Sequence, residues 1–260
     1  MRKTVFALCI ALVAVGCGGC GEDSEKKGSK SDEEKVASDA KPWDAAAGTA
    51  TIRGKATFVG EAPTRRPLDM AVEAKCSGQH TEPVLDESAV VSPEGGLKNV
   101  FVYVKSGLDK WTFESPSDPT VIDQKGCMYT PHIQGMQPGQ KLVIRNSDPL
   151  LHNIHCFAEL NDGFNFGQSQ QGDEQTRSFA RQEVMVKFKC DVHGWMSSYI
   201  GVVRHPFFAV TAEDGTFRLP KLPAGEYEVE AWHEVFGTQR QKVTVGDGEE
   251  KEIAFSFEED

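Results

Sequence analysis

The stretch Val184-Met-Val-Lys-Phe-Lys-Cys190-Asp-Val-His193-Gly-Trp-Met196 decides how this chain reads. Successive side chains of a strand point to opposite faces. Val184, Val186, Phe188 and Cys190 therefore share one apolar face, and Met185, Lys187 and Lys189 share the other. Cys190 is expected to point inward at the end of an amphipathic strand, with His193 and Met196 on the turn that leaves it. Upstream, Asn146-Ser-Asp-Pro-Leu-Leu-His152-Asn153 sets a histidine after a short apolar strand and an Asn-x-Asp-Pro turn. In His152-Asn-Ile-His-Cys156, alternation puts His152 and Ile154 on one face and His155 on the other. His152 is thus the histidine expected beside Cys190.

Taken singly, Cys190 and His193 read as a buried thiol and a turn histidine. Together with Met196 they offer a thiolate, an imidazole and a thioether within seven residues. Soft ligands select copper, and two His with one Cys and a weak axial Met describe a mononuclear electron-transfer site. The expected set for one copper ion is His152, Cys190, His193 and Met196. A dinuclear centre would need a second Cys four positions before Cys190, where Val186 stands. Structural zinc would need several thiolates or paired His spacing, and neither surrounds Cys190.

These two segments resemble those of small blue-copper cupredoxins such as plastocyanin, pseudoazurin and amicyanin. The Cys-x-x-His-x-x-Met spacing is most similar to that of amicyanin. Over roughly Val100 to Arg204, the resemblance implies ligand roles for His152, Cys190, His193 and Met196. It also implies that Asn153 hydrogen-bonds near the Cys190 loop. The implied activity is single-electron carriage to or from a redox protein partner, through a His193 near the surface, by a carrier and not an enzyme.

Outward from these segments the chain reads as short alternating runs separated by turns. Strands are expected at Thr51–Val59, Lys98–Lys105, Lys141–Arg145, His152–Phe157, Val184–Cys190, Ile200–Arg204, Phe207–Thr211, Thr216–Leu219, Glu226–Trp232, Gln241–Val245 and Glu252–Phe257. No long amphipathic helix is evident. Asp214-Gly215 marks a hairpin turn. With Leu222-Pro-Ala-Gly-Glu-Tyr227, it resembles carboxypeptidase-regulatory-like and related carbohydrate-module sandwiches. The expected fold is all-β: a Greek-key cupredoxin-like β-sandwich with a second, smaller carboxypeptidase-regulatory-like one. The expected divisions are a signal segment (1–16), a tether (17–48), an N-terminal β segment (49–96), a copper module (97–205) and the second sandwich (206–260). About fifty residues are too few for that second sandwich alone. The N-terminal strands are available to complete it, so insertion and tandem arrangements both stand.

Arg2, Lys3 and the apolar run Val5–Val15 form an export signal too short to span a bilayer comfortably. Ala14-Val15-Gly16-Cys17 resembles a bacterial lipobox, which implies a lipid on Cys17 and a membrane anchor in the cell envelope, periplasmic or on the outer surface. Cys20 is a weaker second position. From Gly21 to about Gly48 the chain is Glu-, Lys-, Ser- and Asp-rich and reads as a flexible tether. Of the remaining cysteines, Cys76 and Cys127 are expected to pair, leaving Cys156 as a small buried hydrophobe or a further partner. His80 and His132 read as surface or loop histidines, and His233 as structural. A net charge of −11 with no basic stripe argues against nucleic acid. The second sandwich supports another class of function: a carbohydrate- or protein-binding envelope module, with a glycan as ligand and with metal structural, stored or absent.

Overall fold

The computed structural model describes residues 39–259. The expected signal segment, the lipidation site Cys17 and most of the tether lie outside the described residues. In chain order the strands are β1 (Lys41–Pro42), β2 (Ala50–Phe58), β3 (Phe101–Ser106), β4 (Trp111–Thr112), β5 (Thr120–Lys125) and β6 (Met128–Thr130). Next come β7 (Ile133–Met136), β8 (Leu142–Asn146), β9 (His152–Phe157), β10 (Phe164–Gln168), β11 (Glu174–Arg177) and β12 (Glu183–Lys189). The chain closes with β13 (Ser197–Val202), β14 (Phe208–Val210), β15 (Thr216–Leu222), β16 (Gly225–His233), β17 (Gly237–Val245) and β18 (Glu250–Phe257). One short helix, α1 (Ala74–Ser77), follows a 3-10 turn at Met70–Val72.

Four sheets make two sandwiches. The first faces β10-β9-β12-β13-β7 against β11-β8-β5-β6. Its core includes Ile122, Leu142, Ile144, Ile154, Val186, Phe188 and Ile200. The second faces β14-β3-β16-β17 against β15-β2-β18 around Ile52, Val102, Val104, Leu219, Val229, Phe255 and Phe257. Alternation is plain in the second core, where β15 buries Phe217 and Leu219 and β18 buries Phe255 and Phe257.

Pairing shows where each part of the chain belongs. β2 lies between β15, antiparallel with Ile52 opposite Leu219, and β18, parallel with Ile52 opposite Lys251. β3 lies between β14 and β16. The second sandwich is thus built from chain on both sides of the first, and the first is inserted between β3 and β14. Phe101–Ser106 lies inside the bounds expected for the copper module (97–205), but the strands near Thr51–Val59 and Val100–Val104 are also the ones available to complete the second sandwich, and the pairing puts both there. The reason is burial on both faces: Phe101, Val102, Tyr103 and Val104 are all buried, so β3 needs a layer on each side. Val102 and Val104 fill the second core, while Phe101 and Tyr103 meet Ile133, Tyr199 and Val203 between the sandwiches.

Two local expectations change. Val184 does not share the Val186–Phe188–Cys190 face: the β12–β13 register shifts between Glu183 and Val186, and Val184 packs into the inter-sandwich cluster. The tether also ends earlier than Gly48. β1 pairs with β4, and the Trp43 ring sits 4.9 Å from Trp111 and 6.3 Å from Phe207. One large apolar ring suffices to dock an otherwise polar stretch.

Residues 206–260 expressed alone are expected to stay unfolded, because β15 lacks β2 and β16 lacks β3. Far-ultraviolet circular dichroism checks this, and a native β spectrum from that fragment would refute the pairing. Between the sandwiches, a β-carbon at Gly201 would meet the Phe101 ring at 2.3 Å, closer than any real contact. Gly201→Ala is therefore expected to destabilise the fold by about 1–3 kcal/mol in urea unfolding.

Candidate metal centre

The centre is assembled from two loops at one end of the first sandwich. Asn146-Ser-Asp148-Pro closes as a side-chain-capped turn, in which the Asp148 N–H donates to Asn146 Oδ1 at 3.0 Å. Asn146 Nδ2 in turn donates to the carbonyls of Leu150, at 2.9 Å, and Gln168, at 3.1 Å. This turn delivers His152 as the first residue of β9, fully buried. From the other side, β12 delivers Cys190, and the chain turns back at once. The Met196 N–H donates to the His193 carbonyl at 2.9 Å, and the Cys190 N–H donates to the Met196 carbonyl at 3.2 Å. The His193 N–H points at Cys190 Sγ, 3.3 Å away.

His152 Nε2 lies 2.8 Å from Asp148 Oδ2. A carboxylate can only accept, so Nε2 carries a proton, and Nδ1 is the nitrogen left to meet His193 and Cys190. That Nδ1 faces His193 Nδ1 at 3.0 Å, and His193 Nδ1 lies 3.8 Å from Cys190 Sγ. Donor atoms of His152, Cys190 and His193 all fall within 4.8 Å of one another. Met196 is buried in the same apolar cluster as Cys190. Asn153 Oδ1 accepts from the Asp191 N–H at 2.9 Å, which ties β9 to the residue after Cys190. His155 lies on the other face and pairs with Asp191 Oδ1 at 3.2 Å.

Charge balance at the centre follows from these contacts. Burial pushes the Cys190 thiol up, but hydrogen bonds from His152 and from the N–H groups of His193, Asn153 and Val192 prevail and hold it below its ordinary value. Burial disfavours the His152 imidazolium, yet hydrogen bonding to Asp148 and Cys190 raises its pKa overall. Asp148 ends below the usual carboxylate range: burial opposes this, but hydrogen bonds from His152, Cys127 and Gly126 outweigh burial. His193 is lowered by burial and by the neighbouring His152. A depressed thiol and an imidazole resisting protonation, at Cys190 and His193, are forms that bind a metal, while His152 would release a proton on binding one.

Four features differ from the sequence expectation or were missed by it. His193 is 3% exposed and does not reach the surface. Met70 and Cys76, from the segment around α1, pack into the cluster that holds Cys190 and Met196, and a His193 nitrogen lies within 4.8 Å of both Cys76 and Cys127 sulfurs. Those two cysteines form a disulfide, while Cys156 and Cys190 are free. His132 is buried rather than superficial, hydrogen-bonded to the Glu234 carboxylate and, at 3.1 Å, to the Ser197 carbonyl. Glu234 is remote in sequence, so local pattern could not reveal the pair. Asp148 carried no assigned role, though an Asp four residues before a ligand-type His is a readable signal.

Residues 202–258 match the family model of the carboxypeptidase regulatory-like domain. No curated protein sequence matches the chain. Among solved structures, a purple cupredoxin from Nitrosopumilus maritimus is similar over 32% of this chain and 99% of its own, at 20% identity and a TM-score of 0.28. A reduced Cu(I) amicyanin mutant at pH 4 is similar over 35% of this chain and 87% of its own, at 16% identity and a TM-score of 0.30. A copper-containing nitrite reductase from Thermus scotoductus SA-01 is similar over 57% of this chain and 28% of its own, at 13% identity and a TM-score of 0.32. The chain thus spans under a third of that reductase.

The Asp148–His152 pair makes a pH prediction for the metal-free protein. Asp148 is lowered, so its contribution is present above the ordinary carboxylate value of 3.8 and is lost as pH falls through its lower folded value. His152 is raised, so its contribution is complete below 6.5 and is lost as pH rises through its higher folded value. The pair therefore supports the fold most between these limits. Asp148→Ala is expected to remove about 3–5 kcal/mol there, since it strands a buried partner. Asp148→Asn should bring the His152 pKa down, read by NMR of the ring protons; an unchanged His152 curve would refute the pairing. In its strand pairing the chain is an all-β protein of two sandwiches, one inserted into the other, and residues 202–258, most of them in the outer sandwich, match the carboxypeptidase regulatory-like family model.

Proposed function

We propose that this protein holds one copper ion between His152, Cys190, His193 and Met196 and carries single electrons for a redox protein partner in the cell envelope, anchored by a lipid on Cys17. One observation carries the reading. Two imidazole Nδ1 atoms face each other at 3.0 Å in a buried pocket, with a thiol 3.8 Å from one of them. Two facing imidazole nitrogens need a proton or a cation between them; the raised His152 supplies the proton in the metal-free protein, and a bound metal would displace it. A donor set of two nitrogens and a thiolate fits copper better than the harder ions. Copper so held supplies reversible one-electron chemistry.

The chain's own residues do the rest. Asp148 fixes the His152 tautomer and ring plane, as an outer carboxylate does for a metal-binding imidazole. Asn153 and the N–H of His193 hold the Cys190 loop in place before and after electron transfer. No ligand side chain exceeds 3% exposure, so these residues would keep bulk water from the ion. Trp195 is half-buried, with its ring 5.2 Å from His193, and it is the aromatic contact through which an electron leaves the buried centre.

The same burial favours a second reading, in which copper is stored or structural and no partner draws on it. One experiment separates the two. Loading the fragment of residues 39–260 with copper is expected to give an intense visible thiolate-to-copper absorption. It should bleach and return over cycles of reductant and oxidant, and be absent in Cys190→Ser. A colourless, folded protein that takes up no copper would remove both readings. A coloured protein that cannot be bleached by any external reductant would leave storage. In this fragment, Asp148→Asn is expected to weaken copper binding about 10–100-fold, measured by competition with a chelator.

A further inference from the structure

The disulfide lies in an unusual place. Cys76 and Cys127 are completely buried, and both sulfurs sit within 4.8 Å of a His193 ring nitrogen. The backbone of Cys127 is wired to the same centre. Its N–H donates to Asp148 Oδ2 at 2.7 Å, and its carbonyl accepts from Trp195 Nε1 at 2.9 Å. Two of the three compact donor groups among the described residues, Cys76–Cys127–His193 and His152–Cys190–His193, share His193.

We propose that Cys76 and Cys127, once reduced, form with His193 a second soft-metal site that receives Cu(I) beside the main centre. The donor chemistry points to Cu(I): two thiolates and an imidazole in a dry pocket suit a soft, low-charge ion. Three donor atoms within 4.8 Å of one another can converge on a single ion once the S–S bond is broken and the sulfurs part. The thiol-pair site stands independently of the copper reading above.

Access to the sulfurs is through residues 66–85, a strap closed at its base and its tip. The base is the Pro67–Leu85 bridge, with Leu68 N–H donating to the Val84 carbonyl at 2.8 Å. The tip is held by the disulfide and by His80 Nε2, 2.8 Å from the Gly126 carbonyl. Between them the regular structure is one 3-10 turn and a four-residue helix. Met70 and Cys76 are the strap's buried hydrophobic residues, and Val72 is 73% exposed. With regular structure so sparse, the strap is the segment that can yield to admit a reductant to the sulfurs, and reduction then frees its tip.

The reduction balances with a dithiol reductant. One of its thiolates attacks a disulfide sulfur, the Cys76–Cys127 bond breaks, and a mixed disulfide forms. The reductant's second thiol resolves it and departs as an internal disulfide, leaving two electrons and two protons on the chain as two thiols. Cu(I) binding then makes two copper–sulfur bonds and releases both protons.

The test uses the fragment of residues 39–260, which contains every paired strand, with Cu(I) supplied as its bicinchoninate complex under anaerobic conditions. Loss of the complex's colour reads the copper taken up. Dithiothreitol-reduced protein, freed of reductant, is expected to take up about one more Cu(I) per chain than unreduced protein. The extra uptake should vanish in Cys76→Ser/Cys127→Ser. Equal uptake by both forms, or extra uptake that persists in the double variant, overturns the proposal. Near-ultraviolet circular dichroism reports whether the double variant is native. If it is not, Cys76→Ser alone, on the strap, serves the same comparison. Extra uptake that survives in reduced Cys190→Ser supports the second site even where no visible thiolate–copper band ever forms. A band without extra uptake supports the main centre and rejects the second site.

Discussion

A carboxylate taken out of water must be surrounded by donors, and Asp148 is 1% exposed. Its donors come from three places. The Gly126 N–H reaches Oδ1 at 2.8 Å, the Cys127 N–H reaches Oδ2 at 2.7 Å, and His152 Nε2 lies 2.8 Å from Oδ2. The first two fix the β5–β6 turn, on which one end of the disulfide stands. The third fixes the imidazole that opens β9. One buried charge thus sets the position of the strap, the turn below it and a ring of the metal centre. Moving any of them would strand the carboxylate, which gives the site its rigidity without a long stretch of regular structure.

Around that point the molecule divides its labour. The first sandwich supplies the two loops, and the second supplies a wall. Contacts between them are apolar and aromatic: Tyr199 of the first meets Trp232 of the second at 5.1 Å, and Phe101 of the second packs with Ile133 of the first. Within this seam His132 and Glu234 make one polar tie, from opposite sandwiches. Glu234 raises the His132 pKa against the opposing effect of burial. Another carboxylate, Glu230, organises the far side of β16, where Tyr103, Lys105 and Arg240 all bond to it. Buried carboxylates here are paired with cations or, like Glu183, ringed by N–H donors, as their desolvation requires.

Legibility followed physical cause. β9 was readable residue for residue, because alternation, a flanking turn and two buried contacts all act locally. The Cys190–Met196 loop was readable because its donors lie within seven residues. Edge strands were not: Glu174–Arg177 has no buried residue, and in Phe164–Gln168 only Gln168 is buried, so neither shows an apolar period. Their pairing comes from neighbours, β8 and β9, with which they share no local pattern. The concealment of His193 was equally hidden. It depends on residues 66–85, a stretch without periodicity whose place is set by a disulfide of sequence separation 51 and by Asp148. Val184 failed for a related reason, since a bulge changes which residues share a face and leaves no mark in composition.

Insertion of one sandwich into another looks expensive in chain entropy, yet the pairing shows why it is not. β3 and β14 are adjacent antiparallel partners, with Tyr103 opposite Phe208 and Phe101 opposite Val210. The chain leaves the second sandwich and returns to it at neighbouring positions on one sheet, as the ends of a hairpin loop do. Closure entropy grows only with the logarithm of loop length, so lengthening such a connection adds little beyond what a short loop already requires. An inserted segment whose own ends meet satisfies the same geometry that lets domains be inserted elsewhere. β4 and β13 then flank the junction, and Gly201 on β13 lets its backbone approach Phe101 on β3. The ring of Phe101 is thereby gripped by both sandwiches. A side chain from the scaffold fixes the strand that follows the Cys190 loop, so the scaffold positions the centre without contributing a ligand to it.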